Sequence, residues 1–379
     1  MKGSTRKRGS TWTAYWFTQD PATGSRKQHS KGGFRTSRAA QEHLNEVLGK
    51  VQTGAWAPDK RITVAELLVE WLAAKKSQGL RATTLAQYRN VVDSWLVPHV
   101  GGVQLAKMSP SQAQQLVEVL RAEGSRAGGA LSPRSVQLSI TVLKAATAWA
   151  FETGLMGRDS LAGYRRPRAQ TAKGAGAAWT ADEARAFLAS VCDDRLKTAW
   201  TLLLTRGLRR GELAGLKWDA VGLDAGSLQI TRTRVLVDGA PIDSVPKTEA
   251  GRRTIPLDSS LVASLRSHKT RQGQERWAAG EAWSAESYVF TDELGAPLHP
   301  EFFSSRFETL VDRAQLRRIR LHDTRHTAAS LMLASGENVK VVAELLGHSS
   351  PTITQTIYQH VMPGMSEGAG ERLSASLLG

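Results

Sequence analysis

A chain of 379 residues is too long for one core, because single hydrophobic cores stop growing at about 250 residues, so two or three domains are expected. Lysine and arginine number 50 against 35 acidic residues, a formal net charge of +15, so the folded surface attracts a polyanion, with nucleic acid ahead of anionic membrane. No apolar run approaches the roughly 20 residues that span a bilayer, no signal-peptide stretch opens the chain, and the single cysteine, Cys192, excludes a disulfide framework and a cysteine-rich zinc site. A cytoplasmic or nucleoid-associated protein without membrane contact is expected.

The first sixty residues carry eleven basic residues against four acidic ones, with Trp12, Tyr15, Trp16 and Phe17 in the same stretch. T-W-T-A-Y-W-F-T (11–18) predicts a strand, Pro21 to Gly24 the turn before a second strand, and Phe34 the close of a third short one. Residues 37–52 space their apolar groups for a helix. A three-stranded sheet backed by one helix is therefore expected over 1–58. Its aromatics can be read as plain core, but the basic excess favours a DNA-contacting module, with Arg6, Lys7, Arg8, Trp12, Tyr15, Arg26 and Lys27 as contact candidates.

Asp59, Lys60 and Arg61 mark a boundary. Thr63 and Glu66 then have the spacing of a capping box and open the helix V-A-E-L-L-V-E-W-L-A-A-K-K. Three more helices are predicted: 84–97, ended by Pro98; 110–123, opened by Ser109-Pro110 and ended by Gly124; and 133–153, opened by Ser132-Pro133 and ended by Gly154. Residues 61–156 should form a four-helix domain, and nothing in them suggests bond-making chemistry. Residues 157–178 lose periodicity and read as a flexible basic linker in which Arg165, Arg166 and Arg168 meet DNA. The G-A-G-A-A within it resembles part of a dinucleotide fingerprint, but no strand precedes it and no helix opens on it, so no nucleotide cofactor is expected.

Thr180 and Glu183 repeat the capping spacing and open a mostly helical domain over 179–379, with strands near 228–257 and 287–291 and a hairpin turn at Asp238-Gly239. The fold class is mainly α with small β-sheets (α+β).

A phosphodiester opens to an oxygen nucleophile when the charge on pentavalent phosphorus is neutralised and the 5′-oxygen is helped to leave. The sequence offers no two-metal acidic cluster, no H-E-x-x-H and no Walker loop, so no metal is expected. Arginine is the alternative, because its planar fork donates to two non-bridging oxygens and stays charged at any working pH. Arg209, which follows the apolar run W-T-L-L-L-T and Gly207, and Arg325 are the candidates; Glu212 is suited to hold a neighbouring arginine. Alone, R-R-G-E reads equally well as a solvated helix junction. Lys247 ends a predicted hairpin strand and is suited to protonate the leaving oxygen, the plain alternative being a solvated turn lysine. His322, Arg325 and His326 share a helix face, with His322 suited to take the nucleophile's proton or orient phosphate and His326 to a structural hydrogen bond. His348, after the helix terminator Gly347, is suited to donate as a neutral imidazole to a phosphoryl oxygen. Tyr358 is the candidate nucleophile: nearby guanidiniums favour its phenolate, and a phosphotyrosine keeps the energy of the broken linkage, so resealing needs no ATP.

R-G-L-R-R-G-E-L, P-K-T-E-A-G-R-R-T-I-P-L, L-H-D-T-R-H-T-A-A-S and L-L-G-H-S-S-P-T-I-T-Q-T-I-Y together resemble the four signature boxes of tyrosine recombinases, specifically phage-type, actinobacterial-like integrases. The resemblance implies that Arg209, Lys247, His322, Arg325 and His348 activate the phosphate and that Tyr358 attacks it, without cofactor. It implies an arm-type DNA-binding domain, a SAM-like core-binding domain and a catalytic domain closing as a C-shaped clamp on double-stranded DNA. A homotetramer would then exchange strands through a 3′-phosphotyrosine and a Holliday junction, integrating and excising a phage or mobile element. An excisionase or directionality factor and a host DNA-bending protein are the implied partners, and the segment after residue 363 is expected to dock on a neighbouring protomer. Arg206 departs from the small residue common at that position. A chromosome-dimer resolvase, a type IB topoisomerase and a non-catalytic DNA-binding regulator are the alternatives; the N-terminal module counts against the first two and the six intact positions against the third.

Overall fold

The computed structural model describes residues 3–19, 25–52, 62–124, 128–167, 178–246 and 249–348. The chain divides into two compact units, Met1–Thr171 and Ala172–Gly379. Mainly helical structure with small antiparallel sheets is the observed class.

The first unit opens with β1 (Ser4–Arg8), β2 (Thr11–Gln19) and β3 (Arg26–Phe34), an antiparallel sheet in the order β1-β2-β3, backed by α1 (Ser37–Gln52). Ala14, Trp16, Leu44 and Val47 form the small core between sheet and helix. The number of strands is the expected one, but their placement is not. The sheet begins at Ser4 rather than Thr11, and Arg26–Phe34 is one strand rather than two, its register slipping opposite Trp12 and Ala14. Both are edge strands rich in charge, the second also carrying Gly32 and Gly33, and both are fixed by backbone pairing to β2 and not by an apolar alternation that sequence could reveal. The expected turn at 21–24 lies outside the described residues.

The helical part of this unit comprises α2 (Val64–Ser77), α3 (Ala82–Val91), a π turn (Val92–Leu96), α4 (Val97–Val100), a 3-10 turn (Leu105–Lys107), α5 (Pro110–Glu123) and α6 (Pro133–Glu152). The capping box is present: the Thr63 amide donates to the Glu66 carboxylate at 2.8 Å, and the Glu66 amide donates to Thr63 Oγ1 at 3.2 Å. Pro98 does not end the third helix, contrary to expectation. Proline breaks an α-helix because it lacks an N–H and its ring meets the carbonyl four residues back. Here the preceding turn widens, with the Val97 amide donating to Val92 O, and the helix continues to Val100. Residues 157–167 are not free chain: Leu161 is fully buried in the helical core, Tyr164 Oη donates to Gln114 at 2.9 Å, and Arg166 donates to Thr141 Oγ1 at 3.2 Å.

The second unit opens with α7 (Ala181–Ser190), α8 (Lys197–Arg206) and α9 (Arg210–Ala214). Then come β4 (Val221–Gly222), β5 (Ser227–Ile230), β6 (Thr233–Val237), β7 (Ala240–Ser244) and β8 (Arg253–Pro256), followed by α10 (Ser259–Ala279), α11 (Pro300–Arg313), α12 (Asp323–Ala334) and α13 (Val339–Leu346). Strands β4-β5-β8 form one antiparallel sheet, and β6-β7 a separate hairpin. The hairpin turns at Asp238 (φ 50°) and Gly239 (φ 83°), the pair of positive φ angles that a two-residue turn between right-twisted strands demands. Residues 287–291 form no strand; Tyr288 bridges Lys217 and Thr291 bridges Pro297, while Val289 and Phe290 pack into the core. The apolar pattern there reflects burial and not ladder pairing. Trp179, Phe187, Trp200, Phe303 and Phe307 stack at the centre, with α8 buried along Ala199–Leu204. No described helix is long and apolar enough to cross a membrane.

Trp71 is fully buried in the helical part and stacks on Tyr88 at 5.4 Å, with no described hydrogen-bond partner for its indole N–H. Trp71→Ala should therefore cost about 3–5 kcal/mol of that domain's stability, read as a lower urea midpoint, whereas Trp71→Phe should cost far less because no hydrogen bond is lost.

Candidate active site

The site begins where α8 stops. Gly207 takes the left-handed conformation (φ 61°), and a Cβ there would run into the Leu346 side chain and lie 3.3 Å from Ala328 Cβ and 3.5 Å from Arg325 Cγ. Glycine thus lets the ends of α8 and α13 and the first turns of α12 meet at one point. Beyond it the chain extends through Arg209 (φ −74°, ψ 150°) into α9. Gly211 and Gly215, one helical turn apart, set α9 directly on β6: a Cβ at either would lie 2.9 Å from Arg234 O or 2.8 Å from Arg234 N.

Three guanidiniums gather at this junction around one carboxylate. Glu212 is 1% exposed; Arg209 Nη1 donates to its Oε1 at 2.7 Å, and Arg253 Nη1 and Nη2 donate to Oε1 and Oε2, both at 2.9 Å. Burial works to raise the Glu212 pKa, but the hydrogen bonds and charge of Arg253, then the charge of Arg209, outweigh it and hold the carboxyl below its usual range. The same three arginines close the C-terminal end of α13. Arg253 Nε donates to Leu345 O at 2.6 Å, Arg325 Nη2 to Leu346 O, and Arg209 Nη2 to Gly347 O at 2.8 Å. Helix ends leave carbonyls unpaired and carry partial negative charge, so cations are favoured there. Arg325, 3% exposed, also donates from Nη1 to Gly207 O at 2.8 Å. Burial, then the neighbouring Arg209, pushes its pKa down to about 9, which leaves it charged at neutral pH.

The histidines stand at the edge of this cluster as neutral imidazoles. Burial, followed by Arg325 and Arg209, pushes His348 down to about 4. Burial, then His326 and Arg325, lowers His322. A neutral imidazole can accept a proton at one nitrogen and donate from the other, so both histidines keep the capacity that acid–base work on a phosphodiester needs. His326 meets His322 edge-on at 5.6 Å, and the hydrogen bond expected of it is not found among the described residues.

The structure therefore brings Arg209, Glu212, His322, Arg325, His326 and His348 to one junction. Lys247, Tyr358 and Arg168 lie outside the described residues. Arg253, on the R-R-T-I-P strand, is the member of the cluster to which the sequence assigns no role, because what calls for a second cation is the burial of Glu212, which only the tertiary structure shows. Arg206 points away from the cluster, donating to Pro256 O at 3.0 Å and pairing with Asp258. The β7 strand that leads toward Lys247 is held at Asp243, which accepts from Tyr288 Oη at 2.5 Å and from Arg234 Nη1 at 3.0 Å.

The DNA-contact candidates of the N-terminal sheet sort onto two faces. Pairing of Arg6 with Thr13, Ser30 with Tyr15 and Arg26 with Gln19 puts Arg6, Arg8, Tyr15 and Arg26 on the face away from α1, where Arg6 lies over the Tyr15 ring at 5.8 Å and Arg26 over Phe17 at 4.2 Å. Lys7, Trp12 and Lys27 belong to the other face. Arg165 is exposed at the end of the helical part, as is Arg166 beside Thr141.

The depressed His348 sets a pH dependence. Its folded pKa of about 4 lies below the ordinary 6.5, so between those values the unfolded chain binds more protons than the native one. Its contribution is complete above about 6.5 and is lost as pH falls toward 4; the lowered His322 and His326 act in the same sense. In the DNA-free protein, NMR titration should find the His348 ring neutral at pH 6, and urea unfolding of the second unit should show falling stability from pH 6.5 to 4. A His348 titrating at its ordinary value would contradict this geometry.

Sequence patterns of known families cover the chain in order: an arm DNA-binding domain over residues 4–51, the N-terminal SAM-like domain of phage integrases over 63–120, and the phage integrase family over 178–364. Among characterised relatives, a tyrosine recombinase XerC-like protein of Caldanaerobacter subterraneus subsp. tengcongensis is 25% identical over 360 residues, spanning 90% of both chains. An integrase of Saccharopolyspora erythraea is 23% identical over 371 residues, spanning 84% of this chain and 83% of that one. The fold is shared with the Tn1549 transposon integrase in complex with transposon right-end DNA (TM-score 0.66, 19% identity, 83% of this chain and 100% of that one). It is also shared with a lambda integrase tetramer bound to a Holliday junction (TM-score 0.55, 19% identity, 90% and 92%). The arginine junction thus sits in a chain that belongs to the phage integrase family of tyrosine recombinases, enzymes that cut and rejoin DNA strands.

Proposed function

We propose that this protein is the site-specific integrase of a phage or integrative element, acting on DNA in the host cytoplasm and nucleoid. The observation that carries the reading is that Arg209 and Arg325 donate to adjacent carbonyls at the end of α13, one residue from His348, so that two guanidiniums and a neutral imidazole address one small region. Three guanidiniums against one carboxylate leave an excess of positive charge that a phosphate would neutralise.

In this scheme the Tyr358 oxygen attacks the scissile phosphorus and His322 takes its proton. Arg209 and Arg325 bind the non-bridging oxygens, with His348 donating to one of them, and Lys247 protonates the departing 5′-oxygen. The product is a 3′-phosphotyrosine and a free 5′-hydroxyl; attack by a 5′-hydroxyl from the partner duplex reverses the step and releases the tyrosine. The helical domain and the catalytic unit would hold a core site, the N-terminal sheet would read flanking arm sites through Arg6, Arg8, Tyr15 and Arg26, and four protomers would pass through a Holliday junction. Lambda integrase has been seen as a tetramer on such a junction, and the arm-type module favours an integrase over a resolvase or a type IB topoisomerase. An excisionase and a DNA-bending protein would set direction, and the segment after residue 363 would dock on the neighbouring protomer.

A nicked suicide duplex carrying the element's own core site tests the scheme. The parent protein should form a covalent protein–DNA adduct, Tyr358→Phe should form none, and Arg209→Ala should cleave about 10²–10³-fold more slowly. Adduct formation undiminished in Tyr358→Phe would rule out that nucleophile.

A further inference from the structure

We propose that Arg253 is a positioning residue for strand cleavage: by sharing the Glu212 carboxylate with Arg209 it fixes the direction of the Arg209 guanidinium and ties it to the helix end that precedes His348. The inference rests on the reading of Arg209 as a phosphate-binding arginine.

Glu212 is saturated. Its Oε1 accepts from Arg209 Nη1 and Arg253 Nη1, and its Oε2 from the Arg209 amide at 2.9 Å and Arg253 Nη2. The carboxylate cannot turn without breaking the Arg253 fork, and two parallel N–H···O bonds fix orientation as well as distance. Exposure divides the labour. The Arg253 side chain is 6% exposed and the Arg209 side chain 37%, so the buried partner is the fixed one and the accessible partner is the one a phosphate can reach. Arg253 is also committed along its whole length, through Nε to Leu345 O at 2.6 Å and Nη1 to Gly251 O at 3.4 Å. Its guanidinium packs against Gly347, where a Cβ would lie 3.0 Å from Arg253 Cδ and 3.1 Å from Nη1. Glycine at 347 therefore serves the left-handed helix end (φ 65°) and the close approach of Arg253 together. Arg209 spends one terminal N–H on Glu212 and one on Gly347 O, which leaves N–H groups to spare for non-bridging oxygens. Removing the Arg253 fork would leave Arg209 competing alone for a buried carboxylate, drawing it from the direction that phosphate binding needs.

Single-turnover cleavage of the nicked core duplex with a native scissile phosphate, compared with the same duplex carrying a methylphosphonate there, tests this. Methylphosphonate replaces a charged non-bridging oxygen with a neutral methyl and so lessens the need for a well-aimed guanidinium. Arg253→Ala and Arg253→Lys should bind the duplex as the parent does and cleave the native phosphate about 10²-fold more slowly. On methylphosphonate their deficit relative to the parent should shrink by about tenfold or more, as should that of Arg209→Ala. Should Arg253→Ala lose its helical circular dichroism, Arg253→Lys, which keeps the charge and loses the fork, decides by the same ratio. Equal slowing on both substrates, loss of DNA binding by the folded variants, or unimpaired cleavage overturns the proposal. Relief in Arg209→Ala without relief in the Arg253 variants overturns it alone, whereas no relief even in Arg209→Ala overturns the reading of Arg209 and this inference with it.

Discussion

A single buried carboxylate organises the arginine junction of the second unit. Glu212 would be expensive to keep ionised at 1% exposure without partners, and two guanidiniums would repel each other at this spacing without a carboxylate between them. Each solves the other's problem, and the residual charge is positive. Arg325 joins the same group although burial disfavours its charge, because the Gly207 and Leu346 carbonyls take its N–H groups. The result is a preorganised region of positive potential whose donors are held before any DNA arrives, which is the condition under which electrostatics lowers a barrier most.

Convergence of this kind depends on close approach. Gly207, Gly211, Gly215 and Gly347 each stand where a Cβ would collide with a neighbouring element, so α8, α9, α13 and β6 are drawn to one place by the absence of side chains. The hairpin β6-β7 is anchored separately, through Asp243 to Tyr288 and Arg234, with the Lys217 ammonium 4.3 Å from the Tyr288 ring centre. Burial and the Asp243 carboxylate push the Tyr288 phenol upward, so it remains a hydrogen-bond donor, in contrast to a tyrosine activated for attack. Tyr288 is thereby a donor in a structural network, the opposite of the role proposed for Tyr358.

The N-terminal sheet works by another economy. Its core is four residues wide, and its open face carries Arg6, Arg8, Tyr15, Phe17 and Arg26. Stacking of Arg6 and Arg26 on aromatic rings fixes the direction of their charge while leaving the guanidinium edges free for phosphates or base edges.

Local signals carried much of this molecule. Capping boxes at Thr63 and Thr180, Ser-Pro openings at 109 and 132, and the Asp238-Gly239 turn are decided by neighbours within a few positions, and each appears where the residues place it. The motif order likewise singled out Arg209 and Arg325, two of the three arginines that the structure brings together. Strand placement near the N-terminus, the passage of a helix through Pro98, the docking of 157–167 and the role of Arg253 were decided only in three dimensions. Edge strands are fixed by the partner's backbone, a π turn by the packing around it, and a second cation by where a distant carboxylate is buried. Sequence by itself determined which groups could do the chemistry and how each local segment begins and ends; tertiary structure alone decided which charges share a space, because that depends on contacts between positions as far apart as 212 and 253 or 209 and 347.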